Sequence, residues 1–497
     1  MLSQFAMPLV PGGAGVPALP GPVPAAGAGL LAGLGVLTCD IGPGLVGEVI
    51  ELAGVREERR RLLPASAVVY FVLGLCLFSG ADSIGPPGYR SVMRSATNGL
   101  RDAYGTVLPS AAALDKGRER LGSKPFELLF DRCRGPLATA GMPSAFAFGR
   151  RVAAWDGTTL DAAPSAGNAA AFGVPRGGRR PQLRLLALTE CGTRACIDAA
   201  FDGSAAASEH ALTRRLLHAL EPGMLLLADR NFPGYELWGL AAATGADLAW
   251  RAKKNQVFTP LQFLPDGSFT SVMATPAENV RYGNARARGI LLPGPPQGHR
   301  IRVIEYAVTV TPVAGTPRTE PFRLVTTLLD HREAPAAELA ALYHQRWEAE
   351  TGYSDIKARL RGSGFTLRSR NPDLTCQELF AFLVVYQALC ALETQAARQA
   401  GTDPDRISFT VALRAARDSA SSHAALLTAG DLARAREHAI ADVLADQLPA
   451  RRDRAYERTR NPRSSKYLDR PDKPRPPSHV SYTINITTTK ATTSQTA

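Results

Sequence analysis

The sequence predicts an α/β protein: a mixed sheet with helices packed on it, a helical segment before it and further helices behind it. Three observations carry this. Between residues 151 and 254 the pattern reads as three strands, a helix, a strand, a helix and a strand. That order gives a meander followed by αβ units. Before residue 145 and after residue 335, apolar residues recur three and four apart, the period of a helix. Of the 497 residues, 45% are hydrophobic and 21% charged, which suffices for buried cores and excludes a wholly disordered or fibrous chain.

Charge and cysteine content narrow the class. The 57 Lys+Arg against 45 Asp+Glu give a net charge of +12, a sign that favours a polyanionic partner. A basic but otherwise ordinary enzyme is the other reading. Seven cysteines with no CxxC pair make neither a disulfide framework nor a thiolate zinc site, and they suit a reducing cytosol. The longest apolar run, Ala67 to Phe78, is too short to span a bilayer.

Residues 1–38 are rich in Gly, Pro and Ala, carry no charge and are broken by six prolines. They read as a flexible leader, or as sequence upstream of the true start, and make a poor secretory signal. Residues 39–147 read as helices, with Ser110 as an N-cap. Lys116, Arg118 and Arg120 fall on one short helix there. A helix-turn-helix reader of DNA and a solvated helix face fit that pattern equally.

In the next segment RVAAWDGTTL, PQLRLLALTECG and RACIDAAFDG are strands, the last two joined at Gly192-Thr193. SEHALTRRLLHAL is a helix capped by Ser208, GMLLLADRNF a buried strand, YELWGLAAATG a helix and DLAWRAKK a strand. From about 256 to 320 the chain turns β-rich, with a turn at Pro265-Asp266-Gly267 and strands at NVRYG, IRVIEYAVTV and PFRLVTTLL. One long helix is expected over 335–360 and another over 376–399, and residues 401–447 read as helical. Residues 448–497 read as a basic, disordered tail, with ten Lys/Arg against four acids between 451 and 475.

Two carboxylates follow apolar runs that must be buried: Asp156 in Trp155-Asp156-Gly157-Thr158, and Asp229 in ADRNF. Acids emerging from central strands sit at a sheet edge, where sites form. On the helix after 335, an advance of about 100° per residue brings Tyr343, Arg346, Glu350 and Lys357 onto one narrow stripe. Tyr353 and Ile356 fall on the core side, and Glu348 and Asp355 on the far face. A salt-bridged surface stripe would have the same spacing.

The trio Asp156, Asp229 and Glu350, with Tyr-x2-Arg-x3-Glu-x6-Lys on the last helix, resembles the DDE transposases of bacterial insertion sequences, most closely the insertion sequence 4 group. The pattern runs from about 40 to 400, with Asn231 standing where the group often has a glycine or an acid. The resemblance implies a ribonuclease H-like catalytic domain over 148–400, interrupted by the β-rich insertion. It implies a helical DNA-binding domain over 39–147. Asp156, Asp229 and Glu350 are then the catalytic acids and the ligands of two Mg2+ ions, with Mn2+ able to substitute. Tyr343, Arg346, Lys357 and Arg230 are expected along the DNA backbone, with Arg230 equally suited to pairing with a neighbouring acid.

The implied partners are double-stranded DNA, as terminal inverted repeats and as target, and a second copy of the chain when two ends are held together. The implied location is the bacterial cytoplasm, at the nucleoid. Arg176, Arg179, Arg180 and Arg184 are further phosphate candidates, while Lys253 and Lys254 read better as an exposed strand end. The eight histidines show no HExxH, and no P-loop, GxSxG or GxGxxG occurs in context, so nucleotide hydrolysis, serine hydrolysis and Rossmann cofactors are not supported. Two other readings stay open at this stage. One is a transposase-derived DNA-binding protein that no longer cuts. The other is a two-carboxylate hydrolase of sugars.

Overall fold

In the computed structural model the structure describes residues 33–58, 63–79, 88–95, 108–311, 316–362, 366–422, 428–448 and 481–487. One twelve-stranded mixed sheet runs through them. Its strands are β1 (Phe146–Ala147), β2 (Arg150–Ala162), β3 (Gln182–Glu190), β4 (Cys196–Gly203), β5 (Met224–Ala228) and β6 (Asp247–Arg251). There follow β7 (Gln262–Phe263), β8 (Phe269–Ala274), β9 (Gly298–Thr311), β10 (Arg318–Thr326), β11 (Thr366–Leu367) and β12 (Ser481–Ile486).

The spatial order is β4-β3-β2-β5-β6-β10-β9-β8-β7. The meander β2-β3-β4 is antiparallel, and β2, β5 and β6 run parallel. The helices α7 (Glu209–Leu216) and α8 (Tyr235–Ala242) make the crossovers between the parallel strands, as parallel pairing requires. The β-rich stretch does not fold apart from this sheet. It extends it, since β10 pairs antiparallel with β6 and carries β9 and β8 outward.

Alternation along the strands splits the core in two. Trp155, Leu226 and Trp250 face α7 and α8, while Ala154 and Leu227 face α10 (Ala336–Tyr343) on the other side. That second face is also covered, over β3 and the far end of β2, by α12 (Pro372–Gln399). By length and composition α12 could cross a membrane, yet 83% of its most apolar window is buried inside the protein. It is the central core helix. Packed around it are α1 (Pro43–Leu52), α2 (Ala65–Leu77), α3 (residues 89–95), α4 (Ala111–Leu121), α5 (Lys124–Cys133), α13 (Phe409–Ser422) and α14 (Ala429–Ala445).

Several expectations are corrected. Arg118 is not on a solvated or DNA-facing surface: it is 1% exposed. Its guanidinium donates to Gln377 Oε1 at 2.9 Å, to Ser369 Oγ at 2.9 Å and to the Leu374 carbonyl at 3.4 Å. The amino-terminal helices are thus bolted to α12. NVRYG is not a strand but part of a helix, α9 (Pro276–Ala287), with Thr275 accepting from the Glu278 N–H and Pro276 in the first turn.

The leader does not stay loose to residue 38. Gly35–Cys39 form a 3-10 turn whose φ of +56° at Gly35 permits close approach to the Ser419–Ala420 backbone; residues 1–32 lie outside the described residues. In the tail, residues 449–480 also lie outside them, but Ser481–Ile486 is a strand paired with β9 rather than disordered chain. The expected single helix over 335–360 is three pieces: α10, a 3-10 turn at His344–Arg346, and α11 (Trp347–Ser354) running into a π-helical stretch at Asp355–Leu360.

Candidate active site

The site begins with strand register. Arg151 pairs with Met224 and Ala154 with Leu227 in the parallel β2–β5 ladder. Two residues further on, Asp156 and Asp229 come level, on the face shared by Ala154 and Leu227. Adjacent strands lie about 4.8 Å apart, so extending that register by two residues puts the Asp156 and Asp229 positions side by side. Burial fixes the placement: Ala153, Ala154, Trp155 and Met224 to Ala228 are all buried. Asp229 is the first residue beyond β5. Asp156 lies within β2, which continues to Ala162 rather than ending there.

Each carboxylate is held locally. Asp156 Oδ1 accepts from the Gly157 N–H at 3.0 Å. Asp229 Oδ1 accepts from the Asn231 N–H at 2.7 Å, and the Asn231 side-chain amide reaches Oδ2 at 3.4 Å. A Cβ at Gly157 would come within 2.5 Å of Glu209 Oε1, so the Glu209 side chain would have to move aside for any larger residue.

The broken helix supplies the rest. Arg346 brings its guanidinium to 3.9 Å from Asp156 Oδ2. Lys357 is half-buried and donates to Thr158 Oγ1, two residues along β2 from Asp156. Burial lowers its pKa, and Asp156 and Asp161 oppose that shift. The backbone of Glu350 lies in α11 beside these groups, and its side chain lies outside the described residues. Among the described residues no cluster of three or more His, Cys, Asp or Glu forms a metal cage.

Tyr343 departs from the expected place along DNA. It is 4% exposed and its hydroxyl donates to the Ala228 carbonyl at 3.2 Å. Burial pushes its pKa up to about 12, with Arg346 opposing. It acts here as a strut to the residue before Asp229. Arg230, Lys253 and Lys254 are exposed, as are Arg176 and Arg179. Arg180 donates to Thr366, and Arg184 to the Ala207 carbonyl at 2.9 Å.

Asp355 is not on a far, solvated face. It is 0% exposed and paired with Arg194 at 3.2 Å and with Arg359. The 3-10 turn and the π stretch break the constant 100° advance that put it outside. Two roles went unread in the sequence. By its spacing Tyr353 reads only as core, although it follows Glu350 by three residues. Arg194 carries no sequence signal beyond its hairpin position.

Comparison with known proteins bears on this arrangement. The model of the insertion element 4 transposase N-terminal region matches residues 31–131, and that of the transposase DDE domain matches residues 147–386. The chain is 25% identical over 448 residues to the transposase InsG for insertion sequence element IS4 of Escherichia coli (strain K12), covering 87% of this chain and 92% of that protein.

The chain belongs to the insertion sequence 4 group of DDE transposases.

Its DDE domain match runs over strands β2 to β11 and the broken helix, so the acids described above fall inside the matched region. A cryo-EM structure of the piggyBac transposase synaptic complex with hairpin DNA is also similar, with TM-score 0.42, 11% identity and coverage of 84% of this chain and 86% of that one. The mixed sheet with helices on both faces is the ribonuclease H-like core of this transposase. DNA is its partner, and divalent-metal chemistry is the habit of its family.

Proposed function

We propose that this transposase binds the terminal inverted repeats of its own insertion sequence, cuts phosphodiester bonds there, and joins the freed 3′ ends to target DNA. Asp156, Asp229 and Glu350 hold two divalent ions, Mg2+ or in its place Mn2+. What supports the reading is the parallel register of β2 and β5, which leads to Asp156 and, one residue past β5, Asp229 at matching positions beneath the helix that bears Glu350.

The donor set fits such ions. Hard divalent cations take carboxylate oxygens and leave positions for water and phosphate. The guanidinium of Arg346 beside Asp156 marks a spot where positive charge is already stabilised. When bound, the ions supply a nucleophilic water at neutral pH and stabilise the charge on the phosphate and the leaving oxygen.

The chain's own groups do the remaining work. The carboxylates fix where phosphate can sit. Arg346, Lys357 and exposed Arg230 hold backbone phosphates as charged donors. Tyr343 braces β5 under Asp229. A helical region over 39–147 contributes to DNA binding, and two copies of the chain bring two ends together, with a hairpin end as one route of cleavage. The location that follows is the cytoplasm, at the nucleoid.

The test is an end-nicking assay on inverted-repeat DNA with Mg2+. Glu350→Gln should bind ends normally and nick about 1000-fold more slowly, the loss expected when several kcal/mol of charge stabilisation is withdrawn. Wild-type protein that binds ends but never nicks, at any Mg2+ or Mn2+ concentration, would mean a DNA-binding remnant instead. Chelator-insensitive activity on glycans with no affinity for DNA would favour a sugar hydrolase.

A further inference from the structure

We infer that Tyr353 is a positioning residue that sets the distance between the first and the third acid of the cutting site. This rests on the reading of Asp156 and Glu350 as those acids.

Asp156 and Ala187 are register partners across β2 and β3. The Tyr353 hydroxyl bridges the backbone groups of that pair: it accepts from the Ala187 N–H at 2.9 Å and donates to the Asp156 carbonyl. The direction is fixed by chemistry. An amide N–H can only donate, so the phenol oxygen accepts there and its single proton goes to the carbonyl.

Tyr353 follows Glu350 by three residues on α11, about 4.5 Å along the axis and on the same side of the helix. One hydroxyl therefore joins the turn bearing the third acid to the backbone of the first. The helix is drawn close beside it as well. A Cβ on Gly352 would come within 2.7 Å of the Tyr386 hydroxyl, so only glycine fits there.

Burial adds weight to the geometry. Tyr353 is 8% exposed, so the bridge is shielded from competing water. Tyr343 does the parallel job at the second acid, through the Ala228 carbonyl. Two tyrosines of one broken helix thus each pin a strand at its acid.

The experiment compares full-length wild type, Tyr353→Phe and Tyr70→Phe on inverted-repeat DNA. Tyr70 is a matched control, since its buried hydroxyl donates to the Ile41 carbonyl at 2.9 Å within the amino-terminal helices. Single-turnover nicking is measured against Mn2+ concentration, with end affinity, thermal midpoint and amide exchange of the peptide around Ala187.

Tyr353→Phe should bind ends within twofold of wild type, nick about tenfold more slowly at saturating Mn2+, need several-fold more Mn2+ for half-maximal rate, and exchange the Ala187 amide faster. Tyr70→Phe should keep the wild-type Mn2+ curve whatever it does to the thermal midpoint. Replacement of Tyr353 by para-aminophenylalanine keeps a donor to Asp156. It should recover most of the rate, and it serves as the test should Tyr353→Phe not fold.

A Tyr353→Phe protein that folds, nicks at wild-type rate and shows an unshifted Mn2+ curve overturns the inference alone. Wild-type protein that does not nick, or nicking that survives Asp156→Asn, overturns the reading beneath it and the inference with it.

Discussion

Two helical segments cover the same face of the sheet and follow opposite rules. α12 runs 28 residues without a break, and 20 of its residues are buried. The segment from 336 to 360 changes pitch repeatedly, from α to 3-10 to α to π. Polar groups on α12 are consumed by the fold: Gln377 bonds Arg118 and Gly122, Gln387 bonds Cys196 and Gly135, and Glu378 accepts from the Arg368 and Ser369 N–H groups.

Polar groups on the broken segment reach the strands that carry the acids instead, at Ala228, Asp156 and Thr158. A regular helix keeps one stripe facing one way. Each change of pitch re-aims the next side chain, which is why π stretches gather at functional sites. The lesson is that regularity here serves packing and irregularity serves the site.

The largest test of this contrast is at the site. Asp229→Asn should lower end nicking by about 1000-fold while leaving the unfolding midpoint within a few degrees, since among the described residues Asp229 bonds within its own turn, to Asn231. A large loss of stability with nicking retained would reverse the contrast.

On the regular helix the expectation inverts. Phe382→Ala should cost about 3–5 kcal/mol in denaturant unfolding, as for a fully buried aromatic, with the nicking rate per folded molecule unchanged.

Asp355→Asn sharpens the boundary, because Asp355 lies on the broken segment yet is wholly buried against Arg194. Weakening that pair, while Glu393 still holds the guanidinium at 3.2 Å, should cost about 2 kcal/mol of stability. The prediction fails if denaturant titration moves by less than about 1 kcal/mol.

The smallest effect is a pH dependence. Burial, then Arg251 and Arg346, lower the pKa of His344, so the folded state resists its protonation more than the unfolded chain does. Stability is then full above about pH 6.5 and declines as pH falls through that value toward the lowered one. Replacement by glutamine, His344→Gln, should flatten this part of the stability curve.

Much of this was legible before any coordinates. Strand order, the caps at Ser110 and Ser208, and the buried strands that lead to Asp156 and Asp229 follow from alternation, turn residues and apolar runs ending in acid. What was not legible has physical causes. A constant helical advance cannot foresee a change of pitch that no proline announces, so it puts Asp355 on the wrong side. Spacing gives the face of a helix but not its neighbour, so Arg118 looked like a surface cation. The alternation of SYTINI was masked by the basic composition around it, although β-branched residues at that period suit a strand.

The anchoring of Arg118 into α12 has a practical consequence for dissecting the molecule. A fragment cut to begin near residue 147, at the edge of the DDE match, would strip α12 of its amino-terminal cover. It would leave the Gln377 amide without the carbonyls of Arg118 and Gly122. Such a piece should emerge in inclusion bodies, and mixing it with the separately made amino-terminal third should bring it back into solution.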